Sequence, residues 1–296
     1  MNGTRTALVT GATQGLGLAL VEGLAARMRP TDHVYLTGRD ADRVASQARR
    51  LSGAGARVRG RLLDVVDTAS VQAAADAIAG EHGGVDIVVS NAAALQTPDR
   101  TPAEEVDVIA ETNNHGTLRM LRSFMPILRP GGRFLVVASS FGRLGHLDAR
   151  VRPLFDEAGS LDDIEAVVEA WRSAVHDGAA AAQGWPNWLN IPSKVAQVAA
   201  VRVVARQRRD QDLARDTFVA AVCPGLIDTR ASRPWFTDMS QAQTPAQAAS
   251  ALLDLALAPS ADPALYGELV QFGKVLPWSA ELPPEAQAAA RVVPAG

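Results

Sequence analysis

The 296-residue sequence predicts an α/β fold, a single doubly wound parallel sheet with helices on both faces. Short apolar runs alternate along the chain with longer stretches whose apolar residues recur at helical spacing, the pattern of strands buried on both faces. A glycine-rich turn joins the first such run to the first such helix, the usual start of a sheet that binds a ligand at its carboxyl edge. A helical insertion is expected late in the chain, before residue 190.

The elements follow in order. Residues 6–10 (Thr-Ala-Leu-Val-Thr) form the first expected strand, and Leu16, Leu20 and Leu24 mark a helix over 16–28. Strands are expected over 33–37, 57–63 and 86–90, separated by helices over 41–51 and 70–81. Helical stretches over 102–110 and 116–128 lead through Pro130-Gly131-Gly132 into a strand over 133–138. Ser160-Leu161-Asp162-Asp163 reads as a capping box opening a helix that runs to about His176. A helix over 195–208 and a strand over 217–222 complete the pattern. One domain is expected over 1–276, with the insertion at about 143–186 and a Pro/Ala-rich extension over 277–296.

Composition excludes several function classes. With 47% hydrophobic residues the chain can bury a large core. Its 29 basic residues are scattered among 32 acidic ones, for a formal net charge of -3, so no nucleic-acid partner is expected. Apolar runs fall short of the ~18 residues of a membrane span, and the first strand begins too early to leave room for a signal peptide. No membrane association and a cytoplasmic location are therefore expected. Cys223 is the single cysteine, expected as a buried inert thiol. No metal site is expected, and Lys194 and Lys274 are the only lysines.

Thr10-Gly11-Ala12-Thr13-Gln14-Gly15-Leu16-Gly17 lies between the first strand and the first helix. Glycines there permit a tight turn and let backbone amides approach a pyrophosphate at the helix N-terminus. The spacing is Gly-x-x-x-Gly-x-Gly, which departs from the general dinucleotide fingerprint.

Seven motifs in order resemble the short-chain dehydrogenase/reductase family: Thr10-Gly11-x-x-x-Gly15-x-Gly17, Asp64-Val65, Asn91-Ala92-Ala93, Asn113-x-x-Gly116, Ser139-Ser140, Asn190-x-x-x-Lys194 and Pro224-Gly225-Leu226-Ile227-Asp228-Thr229. Residues 112–117, the long gap before Gly184-Trp185-Pro186, and Cys223-Pro224-Gly225 are most similar to its monomeric carbonyl reductase branch. The resemblance implies a Rossmann-like fold, an NADP(H) cofactor, a small-molecule substrate and a monomer. It assigns Gly11, Gly15 and Gly17, with Thr13, Gln14 and Leu16 of the same turn, to the pyrophosphate. Asp64 and Val65 are assigned to the adenine, Asn91 to the cofactor wall, Lys194 to the nicotinamide ribose, and Pro224, Gly225 and Thr229 to the carboxamide side. Arg39, following Thr37-Gly38, offers paired donors to a 2'-phosphate where an acidic residue would favour NAD.

Within the catalytic group implied by that resemblance, Ser140 matches the serine that binds the substrate carbonyl. Asn113 matches the asparagine of a water-linked proton path to the lysine. Asn190 stands where the family carries its tyrosine acid. A phenol beside an ammonium group is a competent proton donor, whereas an amide does not titrate near neutral pH. Tyr35 and Tyr266 are the only tyrosines, and Tyr266 would reach the site only through the C-terminal segment. His146 is the preferred substitute acid among the histidines, because imidazole titrates near pH 7. Ala93, in place of a usual glycine, is expected to narrow the cofactor pocket, and Pro192 to distort the first turn of the motif helix.

Phe141, His146, Trp185, Trp188 and Trp235 are candidates to line the substrate pocket, with Phe236 at its rim and residues 224–240 as its lid. The two tryptophans at 185 and 188 read equally well as packing for the insertion. Three functions stay open: an NADPH-dependent reductase of a reactive ketone or quinone; a non-redox cyclase, dehydratase or isomerase in which the nucleotide is structural or absent; and a non-catalytic nucleotide-binding protein. The Ala- and Arg-rich, Lys-poor composition resembles proteins of secondary metabolism in high-GC bacteria.

Overall fold

The computed structural model describes residues 3–230, 232–236 and 238–279. Eight strands form one sheet in the order β3-β2-β1-β4-β5-β6-β7-β8, parallel throughout except for the last pair. They are β1 Thr6–Val9, β2 His33–Gly38, β3 Arg57–Leu62, β4 Val85–Ser90, β5 Leu128–Val137, β6 Phe218–Val222, β7 Leu269–Gln271 and β8 Lys274–Leu276. The chain winds from β1 outward to β3, returns to β4, and winds outward the other way. The carboxyl ends of β1 and β4 thus define a topological switch point, where such sheets bind ligands.

Apolar residues predominate in β1, β4 and β6 because both faces of these central strands are covered, whereas β3 at the edge alternates and carries three arginines. Helices α1 (Gly15–Arg27), α2 (Ala41–Arg50), α3 (Thr68–His82), α4 (Pro102–Ile109) and α5 (Gly116–Phe124) follow the first four strands. Beyond β5 come α6 (Arg152–Asp156), α7 (Leu161–His176), α8 (Ala180–Gln183) and α9 (Asn190–Ala214), and α10 (Pro245–Ala256) lies between β6 and β7. α1 packs on α10, while α5 bridges α3 and α9. The predicted capping box opens α7: Asp163 N–H donates to Ser160 Oγ and Ser160 N–H to Asp163 Oδ2, at 3.1 and 2.9 Å.

Several boundaries differ from the sequence expectation. The two expected helices over 102–128 form one continuous helical run, joined by a π-helical segment at Ala110–His115 and ending at Phe124. Strand β5 begins at Leu128 rather than residue 133, because Leu128 pairs with Val85 before a register shift brings Arg133 opposite Ile87. Helix α9 begins at Asn190 rather than residue 195. Pro192 falls in its first turn, where a missing N–H leaves no helical bond unmade, so the expected distortion does not arise. Of the expected C-terminal extension, residues 277–279 lie against the insertion: Leu144 N–H donates to the Trp278 carbonyl, and Trp278 Nε1 to Asp156 Oδ1 at 2.8 Å. Residues 280–296 lie outside the described residues.

Candidate active site

The turn between β1 and α1 is shaped by close approach. A Cβ on Gly17 would lie 2.5 Å from the Gly11 carbonyl oxygen and 2.6 Å from Asn91 Nδ2, so only glycine lets α1 start this close to the turn. Gly11 and Gly15 both take positive φ, at 61° and 55°, which glycine adopts without steric cost. Thr10 Oγ1 accepts from the backbone amides of Asn91 and Ala92, and Asn91 Nδ2 donates to the Thr10 carbonyl at 2.9 Å. The ends of β1 and β4 are thereby locked around an open helix N-terminus. The exposed ring of this cradle carries Gln14, whose Oε1 accepts from Arg43 at 2.8 Å, while the Thr13 side chain lies beside Gly38. Leu16 packs partly buried against the core.

Arg39 is exposed just beyond β2 and has no ion pair among the described residues. At the next strand end, Asp64 is half-buried and its Oδ1 accepts from Val66 N–H. Val65 is wedged against Gly116, where a Cβ would come within 3.0 Å of it. Ala93 is exposed and lacks positive φ, so its backbone does not need the glycine usual at that position. These residues fit a dinucleotide: a glycine cradle at a helix N-terminus, an apolar adenine wall and an uncommitted guanidinium at the second strand.

Helix α9 carries Asn190 and Lys194 along the carboxyl edge of β5 and β6. The Lys194 ammonium donates to Gln197 Oε1 at 2.8 Å and to the Val137 carbonyl at 3.3 Å. Burial lowers its pKa to about 8. Asn113 is held by the π-helical segment: its Oδ1 accepts from Ala94 N–H at 2.8 Å, and its Nδ2 donates to the Ala94 carbonyl and to Ser193 Oγ. The Asn113 carbonyl accepts from the Thr117 hydroxyl at 2.6 Å. Ser140 is half-buried after β5, with its amide and hydroxyl directed at Cys223, whose thiol is pushed up by burial. Asn190 is half-buried and its side chain makes no hydrogen bond among the described residues.

Four of the five expected pocket residues meet. The Phe141 ring lies 4.7 Å from Trp188 and 5.2 Å from His146, and Trp188 lies 5.7 Å from Trp235. Trp185 instead packs on Phe155, inside the insertion. The Trp235 indole donates to the Gln96 carbonyl, and Gln96 Oε1 accepts from Leu189 N–H. Gln96 therefore ties the loop after β4 to both the start of α9 and the segment carrying Trp235. Pro224 is buried, Gly225 has φ 81°, and Thr229 shares a hydrogen bond with Ser232 in the same loop.

His146 does not suit the part of substitute acid. Its Nε2 lies 3.2 Å from the Ser140 carbonyl, and burial together with the nearby Arg143 charge lowers its pKa to about 4. At pH 7 the ring is neutral and its N–H is committed. Both tyrosines lie elsewhere: Tyr35 contacts Glu81 and His82, and Tyr266 donates to Asp212 Oδ2 at 2.8 Å. Asp212 stands 18 residues beyond Lys194 on α9, about 27 Å along the helix axis. Gln96, Thr117, Gln197 and Arg43 escaped the sequence reading. For Arg43 a signal existed, since it lies four residues beyond Arg39 in the first turn of α2; Thr117 lies in the 112–117 stretch but was given no role there, and the two glutamines belong to no motif.

A family model described as short chain dehydrogenase matches residues 5–149. Carbonyl reductase (NADPH) 1 of Sus scrofa is 29% identical over 287 residues, covering 95% of this chain and 96% of that protein. The Mus musculus protein of the same name is 29% identical, covering 92% and 98%. Among solved structures, menthone neomenthol reductase from Mentha piperita superposes with a TM-score of 0.72 at 24% identity, covering 92% of this chain and 99% of that one, a likeness of fold. No helix among the described residues is long and apolar enough to cross a membrane.

Proposed function

Since this chain is a short-chain dehydrogenase/reductase resembling the carbonyl reductases, we propose that it is an NADP(H)-dependent reductase of a ketone- or quinone-like small molecule, working without a tyrosine acid. One observation carries the reading: the glycine cradle with its free Arg39 opens onto the same sheet edge as Ser140, Asn190 and the buried Lys194. The names of the curated relatives, which include NADPH, support the choice of cofactor.

When bound, NADPH supplies a hydride to the carbonyl carbon. Arg39 and Arg43 bind its 2'-phosphate, the turn holding Gly11, Gly15 and Gly17 takes the pyrophosphate, and Lys194 holds the ribose. The Ser140 hydroxyl and Asn190 amide donate to the substrate oxygen as negative charge develops there, which stabilises the product anion without transferring a proton. Water on the Asn190 side delivers that proton, since His146 is neutral and its N–H engaged. Phe141, Trp188 and Trp235 form a wall suited to a flat, aromatic substrate. Loss of a general acid typically lowers the rate by about two to four powers of ten. The site therefore favours quinones, whose reduced anions are stabilised by conjugation, over simple ketones. Helix α7 covers the outer face of α4 and α9, and the same reading makes the protein a cytoplasmic monomer.

NADPH oxidation by the wild type and by Asn190→Tyr, against a panel of quinones and aromatic ketones, tests this. Expected are turnover of quinones by both proteins within about tenfold, and a gain of about 10²-fold or more for ketones in the variant. Turnover by the variant alone would mean that the native pocket serves non-redox chemistry or binding.

A further inference from the structure

We propose that Gln197 is a positioning residue that anchors the Lys194 ammonium toward the sheet and closes the path for protons between Lys194 and the protein interior. The inference rests on the reading of Lys194 as part of the nucleotide site. Four groups form a continuous buried chain. Lys194 Nζ donates to Gln197 Oε1 at 2.8 Å, Gln197 Nε2 to Thr117 Oγ1 at 2.9 Å, and Thr117 Oγ1 to the Asn113 carbonyl at 2.6 Å. Gln197 and Thr117 are 2% and 3% exposed.

Every donor in the chain points away from Lys194, and the chain ends on a backbone oxygen. A carboxamide neither gains nor loses a proton near neutral pH, so the chain transmits hydrogen-bond polarity without passing protons. The link between Lys194 and the Asn113 carbonyl is made by side chains, and a second bond to the Val137 carbonyl draws the ammonium toward β5. The charged and titratable neighbours are few: Cys223 faces Lys194 from the end of β6, with its thiol held neutral by burial, and Arg143 lies beyond it. Gln197 is thus the side-chain acceptor that fixes the ammonium, whose proton affinity burial lowers. The lysine remains a fixed cation for the ribose, and the proton for the product comes from the substrate side.

The chain's two lysines make a direct test practical. Lysine labelled with carbon-13 at Cε gives two signals, and Lys274→Arg assigns them. In Gln197→Glu, a carboxylate replaces the amide oxygen as acceptor, and the Lys194 midpoint is expected to rise by about one unit or more, tenfold in proton affinity. In Gln197→Met, which keeps the length and removes the acceptor, it is expected to fall. Thr117→Val releases the Gln197 amide and is expected to act in the direction of Gln197→Met, by less, so the inference remains testable if Gln197→Met fails to fold. Midpoints unmoved in folded Gln197→Glu and Thr117→Val would overturn the inference. A parallel NADPH titration of the wild type separates the two claims: absent binding removes the proposed function, while the lysine midpoints still decide the part played by Gln197.

Discussion

Removing the Arg39 side chain separates nucleotide choice from folding. Arg39 is exposed beyond the end of β2 and has no ion pair among the described residues, while neighbouring Asp40 caps α2 by accepting from Arg43 N–H at 3.0 Å. Arg39→Ala should therefore change stability by no more than about 0.5 kcal/mol, as for surface positions without special contacts. A hydrogen bond to a charged group contributes roughly 1.5–3 kcal/mol. Solvent access at this position places the effect toward the lower end, and each 1.4 kcal/mol is about tenfold in affinity. NADPH binding should weaken about 10- to 30-fold, with NADH binding unchanged, because NADH lacks the phosphate. Fluorescence titrations of both nucleotides, with thermal unfolding alongside, measure this. Equal weakening of NADPH and NADH, or no change in either, would refute the assignment of Arg39.

Three further substitutions probe the cradle and the pocket. Gly17→Ala forces a Cβ to within 2.5 Å of a backbone oxygen; overpacking of about 1–3 kcal/mol is expected, with loss of NADPH binding in a titration. Gly15→Ala meets open space but requires φ near 55°, so a milder loss of roughly 1–2 kcal/mol is expected, with weaker effects on affinity. The His146 pKa is lowered to about 4 in the folded protein. The unfolded chain then binds more protons below about pH 6.5, and the stabilisation present above that pH is lost as pH falls toward 4. The melting temperature of the wild type should drop more steeply across that window than that of His146→Gln; parallel curves would contradict the assigned environment.

The sheet was legible because its central strands carry continuous apolar runs, and α7 was legible because its capping box is a local signal. The π-helical segment was hidden, since one extra residue in a turn barely disturbs hydrophobic spacing. Strand β5 was read short because Arg129 to Gly132 look like a loop, and Arg133 looks like a surface charge. It is 2% exposed and spends its guanidinium on the carbonyls of Gly131, Gly132 and Ala258. Strands β7 and β8, with three residues each, are too short for periodicity to register. At the site, motif positions could be read from the chain, but the partners that hold them could not. Gln197 and Gln96 are ordinary glutamines until folding places Lys194 and Trp235 beside them. The two tryptophans at 185 and 188 are equivalent in sequence, and only their ring partners, Phe155 and Phe141, distinguish them.

The π-helical segment Ala110–His115 connects two otherwise ordinary helices, and Gly116 N–H reaches back to the Glu111 carbonyl across it. Such a segment holds one residue more than an α-helix of the same span. In genetic terms it is a position where a one-codon deletion can heal the helix while α4 and α5 keep their lengths. The scaffold would lose little, but Asn113 and Asn114, which bond Ser193 from neighbouring positions, would no longer both face α9. A change in chain length of a single residue could thus add or erase half of the site's support while the fold carried on unaltered.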